Sequence, residues 1–247
     1  GAVAGPGPEA GWPHYGGDRG GMRYSPATQI SKQNVGDLEL AWTYHSGDVS
    51  DGTDGTSKTS FNATPLLVGD TLVFCTPFHR VIAVDAETGA ERWAFDPVQR
   101  QTKLPDPHSR VCRGVAYWES GAMKRVFMVS PGYQMLSIDA TTGALDPAFG
   151  AKGVVDMRKL LGYPVEDVDK AEIGLHSAPI VANGVIIVGS AHLAGGAPPT
   201  KEHIKGVVMG FDARTGKKLW GFTAIPGHGQ KGNDSWLNES WTYTGNA

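Results

Sequence analysis

Several things are scarce in this chain of 247 residues, and each absence removes a class of function. No apolar run approaches the roughly 20 residues of a membrane-spanning helix. Only 19% of residues are charged, and the 22 basic and 25 acidic side chains are spread without long runs. A net charge of −3 with no basic cluster gives nucleic acid or an anionic membrane surface nothing to grip. There is no CxxC and no zinc-ligand spacing. The cysteines are two, Cys75 and Cys112. They are read as buried free thiols, with one disulfide as the alternative. No signal peptide is evident. The small, Pro/Gly-rich stretch 1–10 reads as a linker or as a mature N-terminus, the latter implying that an export signal has been removed.

Turn-forming residues are abundant instead. Gly 34 and Pro 16 suit many short strands joined by tight turns. One pattern recurs three times: VIAVDAETGAERW at 81–93, MLSIDATTG at 135–143 and VMGFDARTGKKLW at 208–220. In each, an apolar strand ends at Asp, Thr follows three residues later, and Gly comes next. Asp can accept hydrogen bonds from the backbone of the turn, and Gly supplies the positive φ that ends it. Trp93 and Trp220 lie eight residues after their Asp, where a large ring can pack against a neighbouring sheet; Pro147 takes that place in the second copy. Asp85, Asp139 and Asp212 are thus turn caps, not catalytic carboxylates.

A second hairpin precedes each copy, turning at Gly69-Asp70, near Gly121, and at Asn183-Gly184. Each unit is four strands, which makes the chain all-β: a β-propeller of four-stranded antiparallel blades. The blades fall at about 60–95, 113–150 and 176–222. Asp37 to Tyr44 reads as a closing strand within the N-terminal segment 1–59, Ser240 onward as the start of a further blade, and Met157–Leu161 as a short helix. Polar or Gly/Pro-rich insertions run over 96–110, 152–173 and 194–205. Three blades cannot close a ring, so the remaining blades are expected from more chain or from a partner.

The repeat resembles the tryptophan-docking motif of quinoprotein alcohol dehydrogenases, although outer-membrane assembly propellers share it. Further stretches narrow the resemblance. WPHYGGD at 12–18, RYSP at 23–26 and NVGDLELAW at 34–42 look like the opening of these enzymes. FNATP at 61–65, CTP at 75–77 and CRGVAY at 112–117 are similar to the membrane glucose dehydrogenase branch, and WTYTGN at 241–246 is similar to a stretch leading to the floor of the ring. The chain therefore resembles the N-terminal part of a pyrroloquinoline-quinone (PQQ) dehydrogenase, in which an eight-bladed ring surrounds one quinone and a divalent metal, usually calcium.

That resemblance implies a periplasmic oxidoreductase. Its substrate would be an alcohol or a sugar, and its electrons would pass to a cytochrome c or to ubiquinone. It implies that Arg113 binds a carboxylate of the quinone and that Asn62 touches its rim. His108 or Ser109 would line the pocket, the family's vicinal cysteines being replaced by Pro107 and His108. His176 would donate a hydrogen bond, and Ala191 and His192 would lie on the cofactor side of the third blade. Where the family places a metal-ligating residue, Ala194 stands, so no metal ligand is assigned to this chain. The catalytic Asp is expected beyond Ala247, and 1–247 alone is expected to be inactive. The rival reading is a propeller that serves as an interaction scaffold, or a degenerate quinoprotein.

Overall fold

A computed structural model describes residues 11–18, 20–53, 58–97, 111–162, 173–175, 177–192 and 205–245. Three four-stranded antiparallel sheets follow one another along the chain. The first is β1 (Leu66–Val68), β2 (Thr71–Cys75), β3 (Val81–Asp85) and β4 (Glu91–Phe95), paired in chain order. The second is β5 (Ala116–Ser120), β6 (Met123–Ser130), β7 (Gln134–Asp139) and β8 (Val154–Asp156). A two-residue strand, β9 (Ile173–Gly174), precedes the third sheet. That sheet is β10 (Ile180–Ala182), β11 (Val185–Val188), β13 (Val207–Asp212) and β14 (Lys218–Thr223), while β12 (Ala191–His192) turns aside to pair with β9. No helix among the described residues is long and apolar enough to cross a membrane.

The repeated turn has the same hydrogen bonds in all three sheets. Asp85 Oδ1 accepts from the Thr88 backbone at 2.8 Å and its hydroxyl at 2.9 Å. Asp139 holds Thr142 in the same way, as Asp212 holds Thr215. The alanine after each Asp donates its N–H back across its own sheet, to Asp70, Lys124 and Gly184 respectively. Its carbonyl then points outward, toward the preceding unit.

That carbonyl is where neighbouring units join. The Trp42 indole donates to Ala86 O at 3.2 Å, and the Trp93 indole to Ala140 O at 3.0 Å. Each ring lies flat over the glycine of the turn it meets. A Cβ on Gly89 would come within 2.6 Å of Trp42, and one on Gly143 within 2.8 Å of Trp93, so no larger residue fits at either place without moving the ring.

The third junction lacks a tryptophan because Pro147 stands in its place. Arg125, 4% exposed, supplies the missing donor: its guanidinium bonds Ala213 O at 2.6 Å and also the Arg214 carbonyl. Asp146 pairs with it, and the ring of Phe149 takes the place over Gly216 where an indole would lie. The buried charge is tolerable because the guanidinium meets a carboxylate and two carbonyls. One core joins the first two sheets, around Leu66, Val73, Trp93, Met128 and Leu136; another joins the second and third, around Phe127, Tyr133, Phe149, Ile186 and Phe211.

The structure departs from the sequence reading at five points. The returning strand of the second sheet is Val154–Asp156, beyond the expected limit at 150, because residues 145–153 form turns and only an isolated bridge between Leu145 and Ile138. The segment from Asp37 to Tyr44 forms no ladder; it is held by the Trp42 indole instead. Where the start of a further blade was expected from Ser240, residues 237–242 form 3-10 turns broken by left-handed Asn238 and Glu239. Trp220 meets none of the repeat turns among the described residues: it covers Gly210 of its own sheet and is 41% exposed. Cys75 and Cys112 are disulfide-bonded, not free. They lie 37 residues apart, yet packing of the first two sheets brings their Cα atoms to 6.0 Å. The short helix expected near Met157–Leu161 is present as a 3-10 turn, Met157–Leu160.

Two outcomes follow from this packing. Trp93→Ala should cost about 3–5 kcal/mol, the usual range for emptying a buried aromatic site. Trp220→Ala should cost less than half as much, and urea midpoints of the two variants compare them. Asp70 and Asp85 share the Arg92 guanidinium, which bonds both Asp70 oxygens at 2.8 Å and Asp85 at 2.6 Å. These bonds hold both carboxyls down at about 2, below the unfolded value of about 3.9. Their stabilisation is therefore complete above about pH 4 and is lost as pH falls toward about 2. Arg92→Gln should flatten the decline in urea midpoint over that window.

Candidate functional site

The first strands of the three sheets begin at one common end, where the second strands finish. Thr64, Gly114 and Ala178 precede β1, β5 and β10 there and converge. A Cβ on Gly114 would lie 3.3 Å from Ala178 Cβ and 3.9 Å from both Thr64 O and the Tyr15 ring. Gly114 has φ +148°, a conformation other residues rarely adopt. The N-terminal segment closes in on this point. Trp12 pairs with Leu67 and donates its indole N–H to Pro65 O at 2.8 Å, and the Arg23 guanidinium stands 5.8 Å from the centre of the Tyr15 ring.

Two concavities flank the segment. One of about 600 Å³ is lined by Trp12, Tyr15, Asp18, Arg23, Tyr24 and Thr64 among others. The other, about 460 Å³, lies between His14, Tyr15, Tyr117 and Pro179. Neither is lined by Asn62, Arg113 or His192. The sequence reading had not assigned Tyr15 or Arg23 to a site; an aromatic and a cation eight residues apart in a loop carry no local pattern that marks them.

The residues singled out from the sequence lie as follows. Arg113 and Asn62 are both exposed at the shared end, before β5 and β1, and neither bonds another described residue. Ala191 and His192 form β12 at the same end of the third sheet, half-buried and paired with Gly174 and Ile173. His108, Ser109 and His176 lie outside the described residues, as does Ala194. Among the described residues no group of three or more His, Cys, Asp or Glu side chains could hold a metal ion.

Cations at this end are not equivalent. Arg80, in the turn between β2 and β3, bonds the carboxylate of Asp48 at 2.9 Å and the carbonyl of Ser46 at 2.5 Å. Asp48 is itself buried, so that pair is a structural clamp on the N-terminal segment. Arg113 has no such acid among the described residues. An exposed guanidinium with five donors and no protein carboxylate is suited to an anionic ligand. Tyr133 ties the end together by donating its hydroxyl hydrogen to Gly189 O, 2.7 Å away on the third sheet.

A sequence profile described as PQQ: glucose/ethanol/alcohol dehydrogenase, beta-propeller domain, matches residues 12–247. The chain belongs to this family. Quinoprotein glucose dehydrogenase A of Acinetobacter calcoaceticus is 30% identical over 248 aligned residues, covering 90% of this chain and 30% of the relative. Quinoprotein glucose dehydrogenase of Escherichia coli K12 is 32% identical, over 85% of this chain and 27% of its own length. Among solved structures, quinohemoprotein alcohol dehydrogenase ADHIIG of Pseudomonas putida HK5 superposes with a TM-score of 0.65 at 31% identity, over 88% of this chain and 27% of that one. The chain thus spans less than a third of each of these relatives. The all-β, four-stranded-sheet fold read from the repeats agrees with them.

The disulfide at the head of β5 has a direct check. Denatured without reductant, the protein should show no free thiol; after reduction, it should show two. Closing a loop of this length contributes about 4 kcal/mol by the chain-entropy relation, so Cys112→Ser should lower the urea midpoint accordingly.

Proposed function

We propose that this chain forms part of the quinone-binding wall of a PQQ-dependent dehydrogenase that oxidises an alcohol or a sugar. The supporting observation is Arg113, exposed at the shared end of the three sheets and bonded to no other described residue, in a chain that matches the dehydrogenase family from residue 12 onward. Pyrroloquinoline quinone carries three carboxylates, and the donors available fit them in kind: a guanidinium paired with no acid among the described residues and an exposed amide at Asn62. Arg113 would hold one carboxylate through a charge-assisted pair, and Asn62 would bond the rim. His108, Ser109, His176, Ala191 and His192 complete the proposed lining. When bound, the quinone supplies a two-electron acceptor for hydride. The chain's own residues bind and orient; the proton-accepting carboxylate is proposed to lie outside residues 1–247.

A divalent metal, calcium above all, belongs to this proposal only through parts of the protein beyond this chain. Electron transfer to a cytochrome c or ubiquinone, and residence in the periplasm, are likewise proposals. The disulfide supports the compartment, since such bonds persist where the surroundings are oxidising. The alternative, a scaffold without redox chemistry, draws on Ala194 standing where relatives would ligate a metal.

Quinone titration separates the two. In the intact protein, Arg113→Ala should weaken pyrroloquinoline quinone binding by about 1.5–3 kcal/mol, the usual worth of a hydrogen bond to a charged group. Unchanged affinity, followed by absorbance or fluorescence of the quinone, rejects the role of Arg113.

A further inference from the structure

We propose that the Cys75–Cys112 disulfide is a positioning device for Arg113, holding its backbone where the guanidinium meets a quinone carboxylate. This rests on the reading of Arg113 just given and goes beyond it. Four observations carry it. Cys112 is the residue immediately before Arg113, and its partner Cys75 ends β2 of the preceding sheet. Both sulfurs belong to the buried core shared by the first two sheets. Gly114, immediately after Arg113, is wedged against Ala178 and Thr64 in a backbone conformation that disfavours any other residue. Arg113 itself is exposed and bonds no other described residue.

Arg113 is therefore an exposed side chain on a backbone held from both sides. One pin ties it to the first sheet and the other packs it against the third. Fixing the backbone in advance removes conformational freedom that a ligand would otherwise have to freeze on binding. A flexible arginine on a loose segment would bind the same carboxylate with lower affinity. If the disulfide served stability alone, it would sit as well anywhere along the sheet junction. Its place one residue from the unpaired cation is what the positioning role accounts for.

A double-mutant cycle tests this in the intact protein. Affinities for pyrroloquinoline quinone and for its trimethyl ester, which lacks the carboxylates, are measured for four forms: wild type, Arg113→Ala, Cys75→Ser/Cys112→Ser, and all three substitutions together. The disulfide variant should lose about tenfold affinity for the free acid and little for the ester. It should cost almost nothing further once Arg113 is alanine, since coupled residues are non-additive. Equal losses for acid and ester, or additive losses in the triple variant, would overturn the proposal and leave the disulfide a stabilising bond. No effect of Arg113→Ala by itself would instead overturn the underlying assignment of Arg113. Should the disulfide variant fail to fold, Gly114→Ala keeps the cross-link and disturbs the second pin. It should show the same loss for the acid alone, and unchanged binding of the acid would count against the positioning role.

Discussion

Everything in this molecule hangs on one contact, a donor reaching across to the alanine carbonyl of a neighbouring Asp-Ala-x-Thr-Gly turn. The turn presents that carbonyl because its own Asp and Gly satisfy the remaining backbone groups. The glycine leaves a flat site that only a ring can cover without a gap. An indole suits both needs at once, with an N–H at its edge and a large apolar face. Two junctions use tryptophan in this way; the third divides the work between Arg125 and Phe149. The substitution indicates that the junction selects a donor and a ring, not a residue type.

The stacking of sheets then brings functional groups together. Because each sheet begins and ends its strands in the same sense, Asn62, Arg113 and His192 arrive at one end although they are far apart in sequence. The same stacking turns Cys75 toward Cys112 and packs Gly114 against Ala178. The electrostatics of that end follow from which arginine is already partnered. Arg80 is committed to Asp48, and Arg113 bonds no other described residue. The chain belongs to the quinoprotein dehydrogenase family, and the proposed counterpart of Arg113 is a carboxylate of the quinone.

Trp220 shows the same docking rule from the other side. It has the sequence position of a docking ring, yet among the described residues it lies over Gly210 of its own sheet, while Phe149 lies over Gly216 of the same repeat. Position in the repeat gave the ring its potential role.

What could be read from sequence was whatever a few adjacent residues enforce. Asp85, Asp139 and Asp212 cap their turns through bonds spanning three residues, and the Asn183-Gly184 hairpin is equally local. The fold class follows from their repetition. What could not be read depends on contacts between distant segments. The cysteine pair looked like two free thiols because 37 residues of intervening chain carry no sign of closure. Nothing local to Arg125 marks it as a junction residue, since its partners Ala213 and Arg214 come from another sheet. The start of the second sheet's last strand was misplaced because turns at 145–153 delay it. Local hydrogen-bonding chemistry determined the blades from sequence alone; the junctions, the cross-link and the placement of Arg113 at the shared end were decided only when the sheets packed, because each needs surfaces that no single segment carries.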